Sequence, residues 1–179
     1  MRLCWIVIVA IAAAVAAGPA RAEVIDASET GFLVKSEESI GAAPHRIYTA
    51  LIERVDRWWD PDHTFSGDSR NLSIDPKAGG CFCERLPGNG SVQHLTVVML
   101  SPGKEARFTG ALGPLQQDGL AGSLIWKLTE ADGGTRVELT YSLGGYRPGG
   151  LRGLAAPVDG VLRGQLSRLK RYVETGRPN

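Results

Sequence analysis

The sequence has few of the residues that usually mark an active centre. It contains three cysteines and three histidines in 179 residues. It has no Gly-x-Ser-x-Gly, no phosphate-binding glycine loop and no Cys-x-x-Cys. The local signatures of serine hydrolases, nucleotide-phosphate sites and thioredoxin-like redox proteins are therefore absent. Charge of one sign is also lacking, because 20 Lys and Arg face 19 Asp and Glu, a formal net charge of +1. Such a chain has no global field to draw in nucleic acid or an anionic membrane. No internal repeat or low-complexity segment appears.

The N-terminus is a different kind of sequence. Arg2 is followed by an apolar run over residues 3–17, then Gly18-Pro19 and the small-residue pattern Ala20-Arg21-Ala22. This predicts a secretory signal peptide over residues 1–22, cleaved before Glu23. The alternative is an uncleaved membrane anchor, but the run is shorter than the ~20 residues that span a bilayer comfortably, and after cleavage no membrane span is expected in the mature chain. Residues 23–179 then form a single domain, long enough for a real core. Loss of Arg2 and Arg21 takes the net charge from +1 to −1. Cys4 leaves too, and Cys81 and Cys83 remain in an oxidising, extracellular or periplasmic compartment.

Residues 31–40 predict a first strand. Pro44 stands where a helix favours its first residue, and Ile47, Leu51 and Val55 give a helical stripe through 44–53. A second short helix covers 55–59 and stops at Asp60-Pro61, since the residue before proline avoids helical geometry. Strands are predicted at 71–74, 80–86, 91–100, 104–112, 123–130 and 135–143, separated by Gly-, Pro- and Asp-rich turns. From Pro157 to Gly176 the period becomes helical, with Val158, Val161, Leu162, Gln165, Leu166, Leu169, Tyr172 and Val173 on one face. Arg163, Arg168, Lys170 and Arg171 read as its solvated face.

Cross-strand partners share a face, which assigns the two sides of the sheet. Regular hairpins place Glu84 opposite Gln93, Phe82 opposite Leu95, Val97 opposite Phe108 and Met99 opposite Ala106. In the last hairpin, Leu124, Trp126 and Leu128 meet Tyr141, Leu139 and Val137. That apolar face needs a cover, and the C-terminal helix is the expected one. Cys81, Cys83 and His94 fall on the opposite, wet face.

A sheet wrapped on one helix, with two short helices closing an end, leaves a hollow. Its wall is expected from Trp58, Trp59, His63, Phe65, Phe82, Leu95, Val97, Phe108, Trp126 and Tyr141, with Glu84 and Gln93 as polar contacts. Glu84 is the candidate acid or base, because burial would raise its pKa towards the useful range. Pairing with arginine or escape to solvent is the commoner fate of such a carboxylate. Asp60, Asp62 and His63 read first as a capped turn. Cys81 and Cys83 are expected as free, half-buried thiols. A disulfide between them, or zinc held with His94, are the alternatives.

Several motifs combine into a resemblance. They are Pro44-x-x-Ile47-Tyr48-x-Ala50-Leu51, Trp58-Trp59-Asp60-Pro61 with Gly67, Gly79-Gly80-x-Phe82, and the hairpin of Trp126 with Thr135–Tyr141. Together with the element order they resemble the START-like (SRPBCC) superfamily, in the branch similar to Hsp90 ATPase activators and polyketide cyclases. The resemblance covers roughly residues 31–174. It implies an α+β helix-grip fold: a curved antiparallel sheet of about seven strands on a long C-terminal helix, with two short helices after the first strand. It implies a central cavity for a small apolar or aromatic molecule, with no cofactor. The expected function is an exported ligand-binding protein. The alternatives are a cyclase- or dehydratase-like enzyme using Glu84 and, more remotely, a thiol redox or metal protein. No cyclase catalytic set matches residue by residue, and chaperone activation does not suit an exported chain.

Overall fold

A computed structural model describes residues 21–179. The leader expected over residues 1–22 therefore lies almost wholly outside the described residues. The fold is α+β. Eight strands form one antiparallel sheet in the order β1-β2-β8-β7-β6-β5-β4-β3. They are β1 Arg21–Ala27, β2 Gly31–Ile40, β3 Leu72–Ile74, β4 Cys81–Arg85, β5 Ser91–Ser101, β6 Glu105–Thr109, β7 Ala121–Ala131 and β8 Gly134–Gly144. Two short helices, α1 Pro44–Glu53 and α2 Val55–Trp58, lie between β2 and β3, and the long helix α3 Ala155–Thr175 closes the chain. This is the expected helix-grip arrangement with one more strand than the seven expected. β1 adds to the sheet through backbone pairing with β2, and its Val24 and Ile25 side chains stay exposed. Residues 23–26 are all exposed, so they carry no hydrophobic alternation to betray the strand.

The core sits between the concave face of the sheet and α3. In β2 every second residue from Phe32 to Ile40 is buried, and the same alternation runs through β8 as Thr135, Val137, Leu139, Tyr141 and Leu143. On α3 the buried residues are Ala155, Leu162, Gln165, Leu166, Leu169 and Val173, the face expected from their spacing. The helix begins two residues before Pro157. Proline is tolerated there because first-turn N–H groups have no acceptor inside the helix. Not all of the basic residues on α3 are merely solvated. Arg168 Nε donates to the Trp58 carbonyl (2.9 Å), and Lys170 Nζ meets Glu38 Oε2 at 3.1 Å. These bonds tie α3 to α2 and to the sheet.

Two register shifts correct the regular hairpins expected from the sequence. Phe82 does pair with Leu95, but Cys83 pairs with Gln93 and Glu84 with Val92. β5 therefore carries one extra residue, His94, at a β-bulge. The pleat breaks there, so His94 and Leu95 are both buried although adjacent. His94 thus lies on the inner face, not the wet one, and Gln93 is exposed. The second shift follows Val97. Val97 meets Phe108 as expected, but Met99 meets Arg107 and Ala106 pairs with Leu100. The Gly79-Gly80 pair docks β4 onto β5: Gly79 N–H donates to Val97 O and Gly80 O accepts from Val97 N–H, both at 2.8 Å. Gly79 is left-handed (φ +81), and a Cβ on Gly80 would stand 2.1 Å from the Asp75 carbonyl oxygen. Only glycine fits both positions.

Cys81 and Cys83 form a disulfide across a Cα–Cα distance of 5.3 Å, not the free thiols expected. They alternate with the inward-facing Phe82 and Glu84 and so lie on the outer face.

Candidate functional site

One end of the fold encloses a cavity of about 440 Å³. Its floor is Phe82 on β4, His94 on β5 and Tyr141 on β8, and its roof is Pro157, Val158, Val161 and Leu162 from the first turns of α3. The segment Asp62–Phe65 and the loop Leu112–Leu115 form the two sides, with Trp59 and Leu154 at the ends. The lining is largely apolar, as ligand cavities are.

Local bonds place each wall residue. Asp60 caps the short helical turn Pro61–His63, accepts from Asp62 N–H at 3.2 Å and is itself held to α3 by its own N–H donating to Gln165 Oε1 (2.9 Å). This is the capped turn expected of the Asp60–His63 stretch, and His63 is exposed at the cavity rim. The two tryptophans separate in role. The Trp58 indole donates to Ala50 O (3.0 Å) and packs edge-on against Trp126 at 6.0 Å, inside the core. The Trp59 indole donates to His63 O (3.1 Å), packs edge-on against Phe82 at 5.4 Å and turns its ring to the cavity. Tyr141 holds the neighbouring loop: its hydroxyl accepts from Leu112 N–H (2.9 Å) and donates to Gly110 O (3.3 Å). Burial, opposed by the Leu112 bond, pushes its pKa up to about 12, so it stays a neutral phenol.

Glu84 is fully buried and does not border the cavity. It meets neither arginine nor solvent. Its Oε2 accepts from Phe65 N–H (3.0 Å) and His94 Nε2 (2.9 Å), and its Oε1 accepts from Ser66 N–H (2.5 Å). Burial raises its pKa and is the largest single influence. The hydrogen bonds from Ser66, the Phe65 backbone and His94 together outweigh it, so the carboxyl ionises below its ordinary 4.5. Burial lowers the His94 pKa below 6.5, and Glu84 opposes this without reversing it. At neutral pH the pair is a carboxylate and a neutral imidazole. The pKa change expected for Glu84 thus runs the other way, because backbone donors, which the sequence pattern does not show, reach it.

Of the expected wall, the structure brings Trp59, His63, Phe65, Phe82 and Tyr141 to the cavity. Trp58, Phe108 and Trp126 instead surround a void of about 10 Å³, no larger than one water, and are core. Leu95 and Val97 are buried core as well, and Gln93 points to solvent. The zinc alternative fails on geometry, because His94 faces inward while the two cysteines are bonded to each other outside. Among the described residues no cluster of three or more His, Cys, Asp or Glu is placed to hold a metal. Sequence reasoning missed His94, hidden by the bulge, and the Leu112–Leu115 loop, whose apolar residues carry no period. Val158, Val161 and Leu162 were visible as a helix face but not as a cavity roof.

Among solved structures, the chain is similar to CalU16 from Micromonospora echinospora, with TM-score 0.61 and 15% identity over 90% of this chain and 88% of that one. It is also similar to the Aha1 dimer from Colwellia psychrerythraea (TM-score 0.60, 21% identity, 80% and 97% covered). A third is EF2215, a conserved protein of unknown function from Enterococcus faecalis (0.59, 19%, 88% and 78%). At such identities the likeness is one of fold. No curated protein matches the sequence. Residues 33–174 match the family described as polyketide cyclase / dehydrase and lipid transport, and the chain belongs to that family.

Proposed function

We propose that this protein is an exported carrier that holds one small, flat, largely apolar molecule between the sheet and the start of α3. The observation that carries the reading is the cavity of about 440 Å³, walled by Trp59, Phe65, Phe82 and the apolar face of α3. The Glu84-based enzyme alternative loses its footing, because that carboxylate is spent on three donors and does not reach the cavity. Export is supported by the leader-like residues 1–22 and by a disulfide, which persists in oxidising compartments.

The test is titration calorimetry with naphthyl methyl ether as an apolar probe. Binding should be one-to-one, carry a negative heat-capacity change and quench Trp59 emission. Val158→Trp fills the roof of the cavity and should remove most of the binding while leaving the melting temperature near wild type. A wild type that does not bind, or a Val158→Trp variant that binds equally, overturns the carrier reading. N-terminal sequencing of secreted material should begin at Glu23, and a mature chain that keeps residues 3–17 would rule out export by cleavage.

A further inference from the structure

We propose that the inner wall offers its ligand a fixed hydrogen-bond acceptor, Nδ1 of His94, so that the molecule held here carries a hydroxyl donor at its buried end. This rests on the carrier reading and narrows it to a ligand class: an aromatic or polycyclic alcohol or phenol, as opposed to a carbonyl-tipped or anionic one.

The argument begins at Glu84. Two backbone N–H groups and His94 Nε2 converge on its two oxygens. A carboxylate only accepts, so Nε2 must carry the imidazole proton. Turning the ring over would set a C–H against the charged oxygen and lose the bond. A neutral imidazole with Nε2 protonated has a bare lone pair on Nδ1. Among the described residues that nitrogen has no partner. It is not sealed either, since the buried unpartnered side-chain atoms are Arg107 Nε and Gln165 Nε2. The open side of the ring is the cavity that it borders.

The ring cannot swing away. Phe65 stacks on one side of it at 5.9 Å and 28°, and Phe82 packs at 5.2 Å and 41°. The Phe65 main chain is tied to the same carboxylate through its N–H, while the ring keeps one side open to solvent. The other side-chain hydroxyl donors at the wall are spent. The Tyr141 hydroxyl both accepts and donates to the backbone, and Thr64 Oγ1 donates to Pro61 O at 2.7 Å. Asp62 and His63 are exposed at the rim. A ketone oxygen would therefore meet a lone pair, and an anion would meet a lone pair backed by the Glu84 charge. An O–H meets its complement.

The experiment compares naphthol with its methyl ether, which share a ring system and differ in the donor. In wild type, naphthol should bind about 3–10-fold more tightly, the range of one net hydrogen bond. In His94→Phe both should bind with nearly equal affinity, because the acceptor is gone and the aromatic wall is kept. Imidazole nitrogen shifts measured by NMR on the unliganded wild type give a readout that needs no variant. They should show the Nε2–H tautomer for His94, with the Nδ1 resonance moving when naphthol is added. Equal affinities in wild type, a preference that survives His94→Phe, or an Nδ1–H tautomer would each overturn the proposal. If neither compound binds wild type, the carrier reading falls with it. If the ether binds as well as naphthol, the carrier reading stands and only this inference fails.

Discussion

Glu84 and His94 are ionisable residues buried together, and their titration is coupled to folding. Both pKa values lie below the ordinary ones, 4.5 for the carboxyl and 6.5 for the imidazole. Each group therefore binds protons more readily in the unfolded chain. Each contribution to stability is fully present above the unfolded-state value and is lost as pH falls through the folded one. The melting temperature should accordingly fall in two stages on acidification, first below about 6.5 for His94 and again below about 4.5 for Glu84. Calorimetric melting across that range measures it. His94→Phe should flatten the first stage and, because it removes one of the donors that hold the Glu84 pKa down, weaken the second. An identical pH profile in the variant would show that the buried imidazole is not the group being titrated.

At the scale of elements, α3 does two jobs with different residues. Its first turns roof the cavity, while Leu166 and Leu169, both fully buried, hold the rest of the helix to the sheet. Leu169→Ala should cost about 2–5 kcal/mol in urea denaturation, the usual range for emptying such a site. Gly164 lies on the exposed side, and a Cβ there meets nothing within 4 Å. Gly164→Ala should then stabilise by about 0.5–1 kcal/mol, because alanine loses less chain entropy in a helix. A loss of stability in Gly164→Ala, or an unchanged midpoint in Leu169→Ala, would contradict this division of the helix. The strand pair β4–β5 shows the same economy. One inserted residue at the bulge turns His94 inward to face Glu84, a contact that a regular ladder would not make.

For the whole molecule, the sheet and α3 are held together by a core that leaves one end unfilled. Ligand occupancy should therefore stabilise the fold through mass action. At a free ligand concentration about 100 times Kd, binding contributes about 2.7 kcal/mol, which for a chain of this size raises Tm by roughly 5–10 °C. Scanning calorimetry with and without the preferred naphthyl compound measures the shift. No shift at saturation would mean that the compound binds the unfolded chain as well as the folded one.

The sequence by itself determined the architecture. The α3 stripe, the seven alternating strand patterns and the Asp60-Pro61 stop were all legible because each follows from a local period or a backbone constraint. The pairings Phe82–Leu95, Val97–Phe108 and Trp126–Leu139 were legible for the same reason, with hairpin turns fixing the register nearby. Which of the aromatic residues would be wall and which core was not. Trp58 and Trp59 are neighbours in the chain, and only the packing of α2 against Trp126 and Phe82 sends one inward and the other to the cavity. The bulge at His94 was equally out of reach, because an extra residue in a ladder leaves no mark on composition or period until both strands are in place. The state of Glu84 depended on it. A buried carboxylate is raised or lowered in pKa according to the donors that reach it, and here two of the three are main-chain N–H groups of a loop 18 and 19 residues away. Tertiary structure alone brings them there.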